Sequence, residues 1–258
     1  MKISLFAPLL FFALPTSSLF ILLPLYVYPD SDASAWAPVT SAIAAYPSVQ
    51  WQIVINPDSG PGSPPYPDIN YVAGISELNS YDNVRTLGYV DTAHATRALA
   101  DVKSDIDVYA GWADYTDANI TVDGIFFDDA TTGTTDADYT YMCTAANYAY
   151  DHIPTDTTYV IFNPGTLSPT RYFNYADTIV EFEDTYANYA GQTTIDTFPD
   201  GYLAQSAILI HDTPTTATNI GSLVGTMVSD GIGAVYFTYD CCYNSLSSTL
   251  LDQIAGAI

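Results

Sequence analysis

Positive charge is what this chain lacks most. Its 258 residues carry five Lys and Arg against 29 Asp and Glu, a formal net charge of −24. So few cations cannot neutralise phosphates, which speaks against nucleic acid and anionic membrane as partners. Such a surface attracts a polycation, although acidity also serves solubility alone. Cysteine is scarce and odd in number, namely Cys143, Cys241 and Cys242. At least one thiol must then stay free or pair with another chain. The adjacent pair predicts either a vicinal disulfide near the last strand or a buried free thiol. His94, His152 and His211 lie far apart in sequence. No metal-ligand spacing or calcium loop is present, so no metal and no cofactor are expected. A Gly-x-Ser-x-Gly elbow and a His-Glu-x-x-His pair are also missing. "INPDSGPG" (55–62) lacks the Lys of a phosphate loop and reads as a rigid loop shaping a site.

Apolar residues, by contrast, make up 48% of the chain, enough for one sizeable core. The opening "MKISLFAPLLFFALPTSSLF" has a lysine, a short apolar run and then small residues. That is the grammar of a signal peptide over 1–19, which predicts secretion to the extracellular space or cell wall. The apolar continuation "ILLPLYVYPD" leaves a membrane anchor as the alternative, interrupted by Pro15 and Pro24. Asn119-Ile120-Thr121 is a glycosylation sequon suited to an exposed loop.

From residue 20 onward, strand-like runs at 22–28, 51–55, 84–90, 124–127, 159–162, 178–182, 207–210 and 232–237 alternate with helical stretches. The helical stretches fall at 33–45, 71–79, 96–109, 137–150, 168–174, 186–189, 217–229 and 245–257. Eight such units predict a single-domain α/β fold over 20–258, the (β/α)8 TIM barrel. An open doubly wound sheet is the runner-up, but no Gly-x-Gly-x-x-Gly follows the first strand. In such a barrel the ends of the strands converge on one mouth. Polar groups gather at those ends: Tyr28, Asn56, Asp91, Asp128, Asp129, Asn163, Glu183, His211 and Asp240.

Two of these ends bring acids into aromatic surroundings, "GIFFDDA" (124–130) and "VEFED" (180–184). Glycosidic cleavage needs two facing carboxyls, one to protonate the leaving oxygen and one to attack or stabilise the anomeric carbon. Adjacent residues of a strand point to opposite sides, so Asp128 and Asp129 cannot both enter the mouth. By the same alternation Glu181 and Glu183 share a face. Strand ends also favour Asp and Asn as turn and cap residues, and spacing alone leaves catalysis and structure equally open. Tyrosine occurs 22 times and clusters in the strand-to-helix loops, among them Tyr26, Tyr28, Tyr66, Tyr71, Tyr89, Tyr239 and Tyr243. Their rings suit the apolar faces of sugars, although tyrosine also fills half-buried strand positions.

Six segments in chain order carry a family resemblance: "LLPLYVYP", "VINPDSGPG", "LGYVDT", "DIDVYAGW", "VDGIFFDD" and "VEFEDTY". They resemble the spherulin-4-like proteins, glycoside hydrolase family 135. The resemblance implies a secreted fungal barrel acting as an endo-glycoside hydrolase, of the endo-N-acetylgalactosaminidase type. Its substrate would be an N-acetylgalactosamine- or galactosamine-containing polymer such as galactosaminogalactan, cationic where deacetylated. It places the family's catalytic Asp on Asp128 and its Glu on Glu183, with Asp129 standing where the family has Glu. Asp128 is then expected as nucleophile or base, Glu183 as general acid/base and Asp129 as a supporting carboxylate. Tyr28, Asn56, Tyr89, Asn163, His211 and Tyr239 are the expected substrate contacts, in a monomer without membrane insertion after leader cleavage. The alternative is a non-catalytic glycan-binding wall or spore-coat protein, which the Asp-for-Glu change at 129 favours.

Overall fold

The computed structural model describes residues 19–258, so the leader expected at 1–19 lies outside the described residues except for Leu19. Eight strands follow in order: β1 (Phe20–Leu25), β2 (Trp51–Ile55), β3 (Val84–Asp91), β4 (Gly124–Asp128), β5 (Tyr159–Phe162), β6 (Thr178–Thr185), β7 (Ser206–His211) and β8 (Ala234–Phe237). They close into a barrel in that order, and every neighbouring pair is parallel. The α-helices are α1 (Ala37–Ala45), α2 (Ile69–Leu78), α3 (Leu99–Gly111), α4 (Asp136–His152), α5 (Gln192–Ile195), α6 (Ile220–Asp230) and α7 (Ser248–Ala255). This is the single-domain (β/α)8 barrel expected from the alternation of runs. Between β5 and β6 the crossover is only a 3-10 turn, Thr170–Asn174.

The strands read as continuous apolar runs because interior and helices cover both faces. β1, β2 and β8 are buried along their whole length. Helix starts follow local chemistry. Asp68 caps α2 by accepting from the Asn70 and Tyr71 N–H groups, and Thr135 with Asp138 forms a capping box on α4. "ILLPLYVYPD" is no anchor, since its apolar part is β1, hydrogen-bonded to β2 and β8. No helix among the described residues is long and apolar enough to cross a membrane.

β1 stops at Leu25, short of the expected 28, and Tyr26 to Tyr28 climb onto the rim. β6 runs past the expected 182 to Thr185, and its register against β7 skips Glu181, a β-bulge between Val180 and Phe182. The bulge breaks the period of two, so Glu181 and Glu183 do not share a face as alternation predicts. All three cysteines are free, and Cys241 and Cys242 are exposed, neither a vicinal disulfide nor buried.

Candidate active site

Three neighbouring strands build one acid pair at the C-terminal mouth. Asp128 ends β4 on the same face as Phe126, and the Tyr89 ring from β3 stacks on Phe126 with centroids 6.4 Å apart. Stacking aims the phenol, which donates to Asp128 Oδ2 at 2.8 Å. Tyr89 is itself held from behind. The Tyr109 hydroxyl of α3 donates to the Ile55 carbonyl at 2.9 Å and accepts the Tyr89 N–H at 3.1 Å. Tyr109 reaches that position because residue 88 is glycine, where a Cβ would lie 2.6 Å from its ring.

Asn163, immediately after β5, ties the two acids together. Its Nδ2 donates to Asp128 Oδ1 at 2.8 Å and to Glu183 Oε2 at 2.7 Å. Its Oδ1 accepts the Gly165 N–H at 3.0 Å, which fixes the amide's orientation. The two acceptor oxygens are therefore at most about 5.5 Å apart. Gly165, at φ 65°, lays its loop over β6, and its carbonyl accepts the Glu183 N–H at 3.0 Å. The other Glu183 oxygen accepts the Tyr243 hydroxyl at 2.6 Å. Tyr243 stands at φ 55° in the loop after β8, which is wound around Asp240. The Asp240 carboxylate accepts the Cys242 and Asn244 N–H groups and the Ser245 hydroxyl. Tyr26 fills the space between, its ring edge-on to Tyr89 at 5.7 Å and to Tyr243 at 5.9 Å.

Burial pushes the Asp128 carboxyl up to about 6, opposed by the Tyr89 hydrogen bond and reinforced by the charges of Glu183 and Asp129. The phenols of Tyr26, Tyr89 and Tyr243 are also raised, first by burial and then by these carboxylates, so they remain donors. Chemically, the mouth offers one carboxyl that holds its proton in mildly acidic medium, a second carboxyl within about 5.5 Å of it, and three protonated phenols around them.

The other expected residues lie further out. Asp129 turns away at φ 47°; its exposed carboxylate lies 3.7 Å from His94 Nε2, and its side chain has no hydrogen bond to the pair. Asn56 holds its own loop, accepting Gly60 N–H on Oδ1 at 2.9 Å and the Tyr71 hydroxyl on its carbonyl at 3.4 Å. Tyr28 is exposed on the rim and accepts from Asn70 at 2.7 Å. His211 Nδ1 lies 3.1 Å from Asp212 rather than on either acid, and Tyr239 is half-buried against the core. Asn119 is exposed, as a sequon requires. Glu181 is buried and accepts the Ser168 N–H on both oxygens, at 3.1 and 3.2 Å. Among the described residues no cluster of three metal-ligating side chains occurs. Tyr243, Tyr26 and Tyr109 were not expected at the site. The first two belong to the tyrosine cluster of the loops, and Tyr109 lies in "DIDVYAGW", a segment that carried the family resemblance without marking a site residue.

A family model described as spherulation-specific family 4 matches residues 20–258. The chain belongs to that family. Spherulin-4 of Physarum polycephalum is 34% identical over 252 residues, covering 92% of this chain and 69% of that protein. The crystal structure of Aspergillus clavatus Sph3 in complex with GalNAc superposes with a TM-score of 0.83 at 34% identity, covering 92% of this chain and 98% of that one. A fungal family 18 endo-β-N-acetylglucosaminidase shares only the fold, at 12% identity and a TM-score of 0.58 over 93% of this chain and 98% of that one. Family and fold together make this a TIM barrel of the spherulin-4 type.

Proposed function

We propose that the protein is a secreted, endo-acting glycoside hydrolase that cleaves N-acetylgalactosamine- or galactosamine-containing polysaccharide. The observation that carries the reading is the Asn163 amide joining Asp128 to Glu183. Two carboxyls held at this separation, each with a phenol on its far oxygen, match what glycosidic cleavage requires. The GalNAc bound to the Aspergillus relative supplies the substrate class.

The sequence suggests Asp128 as nucleophile or base. Its burial argues for exchanging the roles. Held up to about 6, Asp128 keeps a proton in mildly acidic medium and gives it to the glycosidic oxygen as the bond to the anomeric carbon breaks. Glu183 forms the bond to that carbon from the opposite face. A water then replaces it, its proton returning to Asp128. A separation of at most about 5.5 Å between the two bridged oxygens supports this retaining course, because inversion leaves room for a water at about 6.5–9.5 Å.

Reducing-end release from a panel of defined galactosamine-rich oligosaccharides tests the proposal, with Asp128→Asn and Glu183→Gln as controls. Release by the wild type alone supports it. Retention of the polymer without any cleavage would favour the glycan-binding reading, for which the outward turn of Asp129 is the structural argument.

A further inference from the structure

The proline-rich stretch after β2 has no part in the acid pair, yet it forms one wall of a cleft of about 460 Å³ on the same rim. Tyr28, Tyr66 and Tyr71 line this cleft with Pro61, Asp58 and Asp68. It is a built surface. Five prolines between 57 and 67 restrict the loop, the Asn56 side chain pins Gly60, and Tyr66 rests edge-on against Tyr115 at 4.9 Å. Tyr28 and Tyr71 meet edge-on at 5.6 Å, and 46% of Tyr28 remains exposed. A wall fixed before the ligand arrives loses little entropy on binding.

The cleft sits over β1 and β2, and Tyr28 follows Tyr26 of the acid site by two residues along the same chain. A second cleft of about 400 Å³, lined by Glu183, Phe182 and Leu167, opens over β5 and β6. In a closed ring of eight strands β2 and β6 are half a turn apart, so the first cleft lies across the mouth from the one that contains Glu183.

We propose that the β1–β2 cleft is a distal sugar-binding subsite, which holds a further pyranose of the polymer being cut. The inference rests on the hydrolase reading and extends it to specificity. The tyrosine and proline surfaces take the apolar face of the ring. Asp58 and the free oxygen of Asp68 accept from its hydroxyl or ammonium groups. No Lys, Arg or His lines the cleft, so sugars bearing carboxylate or sulfate are refused.

The test is calorimetric binding to the full chain carrying Asp128→Asn, using short and long N-acetylgalactosamine oligomers, their deacetylated forms and polygalacturonate. Tyr66→Ala should weaken long oligomers roughly tenfold while leaving the shortest within about twofold. Asp58→Asn, an exposed and isosteric change, should weaken the deacetylated long oligomers most, and polygalacturonate should not bind. Equal affinity of the parent and both variants for long oligomers overturns the subsite, provided the wild type cleaves them. Equal weakening for long and short oligomers overturns it as well. Absence of binding and cleavage for every oligomer in the parent and wild type would overturn the hydrolase reading along with it.

Discussion

Glu181 and Glu183 lie two residues apart on β6 and belong to different machinery. Glu183 enters the mouth, where Asn163 and Tyr243 each take one of its oxygens. Glu181, the bulged residue, is sealed away with the Ser168 N–H across both of its own. One extra residue in the strand separates the proposed reacting group from a fastener. Ser168 lies in the loop that begins at Asn163, so the fastener indirectly steadies the amide that spaces the acids. Burial pushes Glu181 up to about 7, well above an ordinary glutamate.

The largest expected effect breaks the comparison outright. Glu183→Gln should lower kcat/KM on a galactosamine-rich polymer by at least roughly 10³-fold, and Asp128→Asn by a similar factor, both in protein that still folds cooperatively. Glu181→Gln should leave the rate at mildly acidic pH within about threefold. Equal losses at 181 and 183 would mean that the bulge does not divide their roles. Tyr243→Phe removes one hydrogen bond to Glu183 and should cost roughly tenfold, in kcat more than in KM.

Stability should report the other half. Glu181 and Asp128 both have folded-state values above their unfolded ones, so their protonated forms favour folding. That contribution is fully present below about pH 4 and is lost as the pH rises through about 6 for Asp128 and about 7 for Glu181. The melting temperature should therefore fall between pH 5 and pH 8. Glu181→Gln should flatten that fall and recover up to about 3 kcal/mol at the alkaline end. A wild-type melting temperature that is higher at pH 8 would contradict this. Activity should decline through about pH 6 as Asp128 loses the proton it donates. The smallest change is expected from Asp129→Glu, since Asp129 faces His94. Less than about a threefold change in kcat/KM separates it from the pair, while a large gain would bring it into the reaction.

The barrel was legible because its signal is repetitive. β2 and β5 fall on the expected residues, where apart from Gln52 the strands are short apolar or aromatic runs. β1 was misjudged at its end because Tyr26 and Tyr28 alternate like strand residues while serving the rim. The bulge at Glu181 left no trace, since one surplus residue in a run of acids and aromatics looks the same as a regular strand. Asp128, Glu183 and Asn163 were readable as strand-end polar groups. Tyr243 was not, because its reach depends on a left-handed backbone set by Asp240, three residues earlier. Asn56 and His211 show the opposite failure, being strand-end polar residues whose side-chain bonds stay within their own loops.

Pro164 follows Asn163 and bears on how long the site lasts. Side-chain amides of asparagine are commonly lost when the next residue's backbone nitrogen, carrying its hydrogen, attacks to form a cyclic imide. Proline has no such hydrogen. The spacer between the acids is thus protected from slow conversion, by that route, into a third carboxylate that would repel both of its partners.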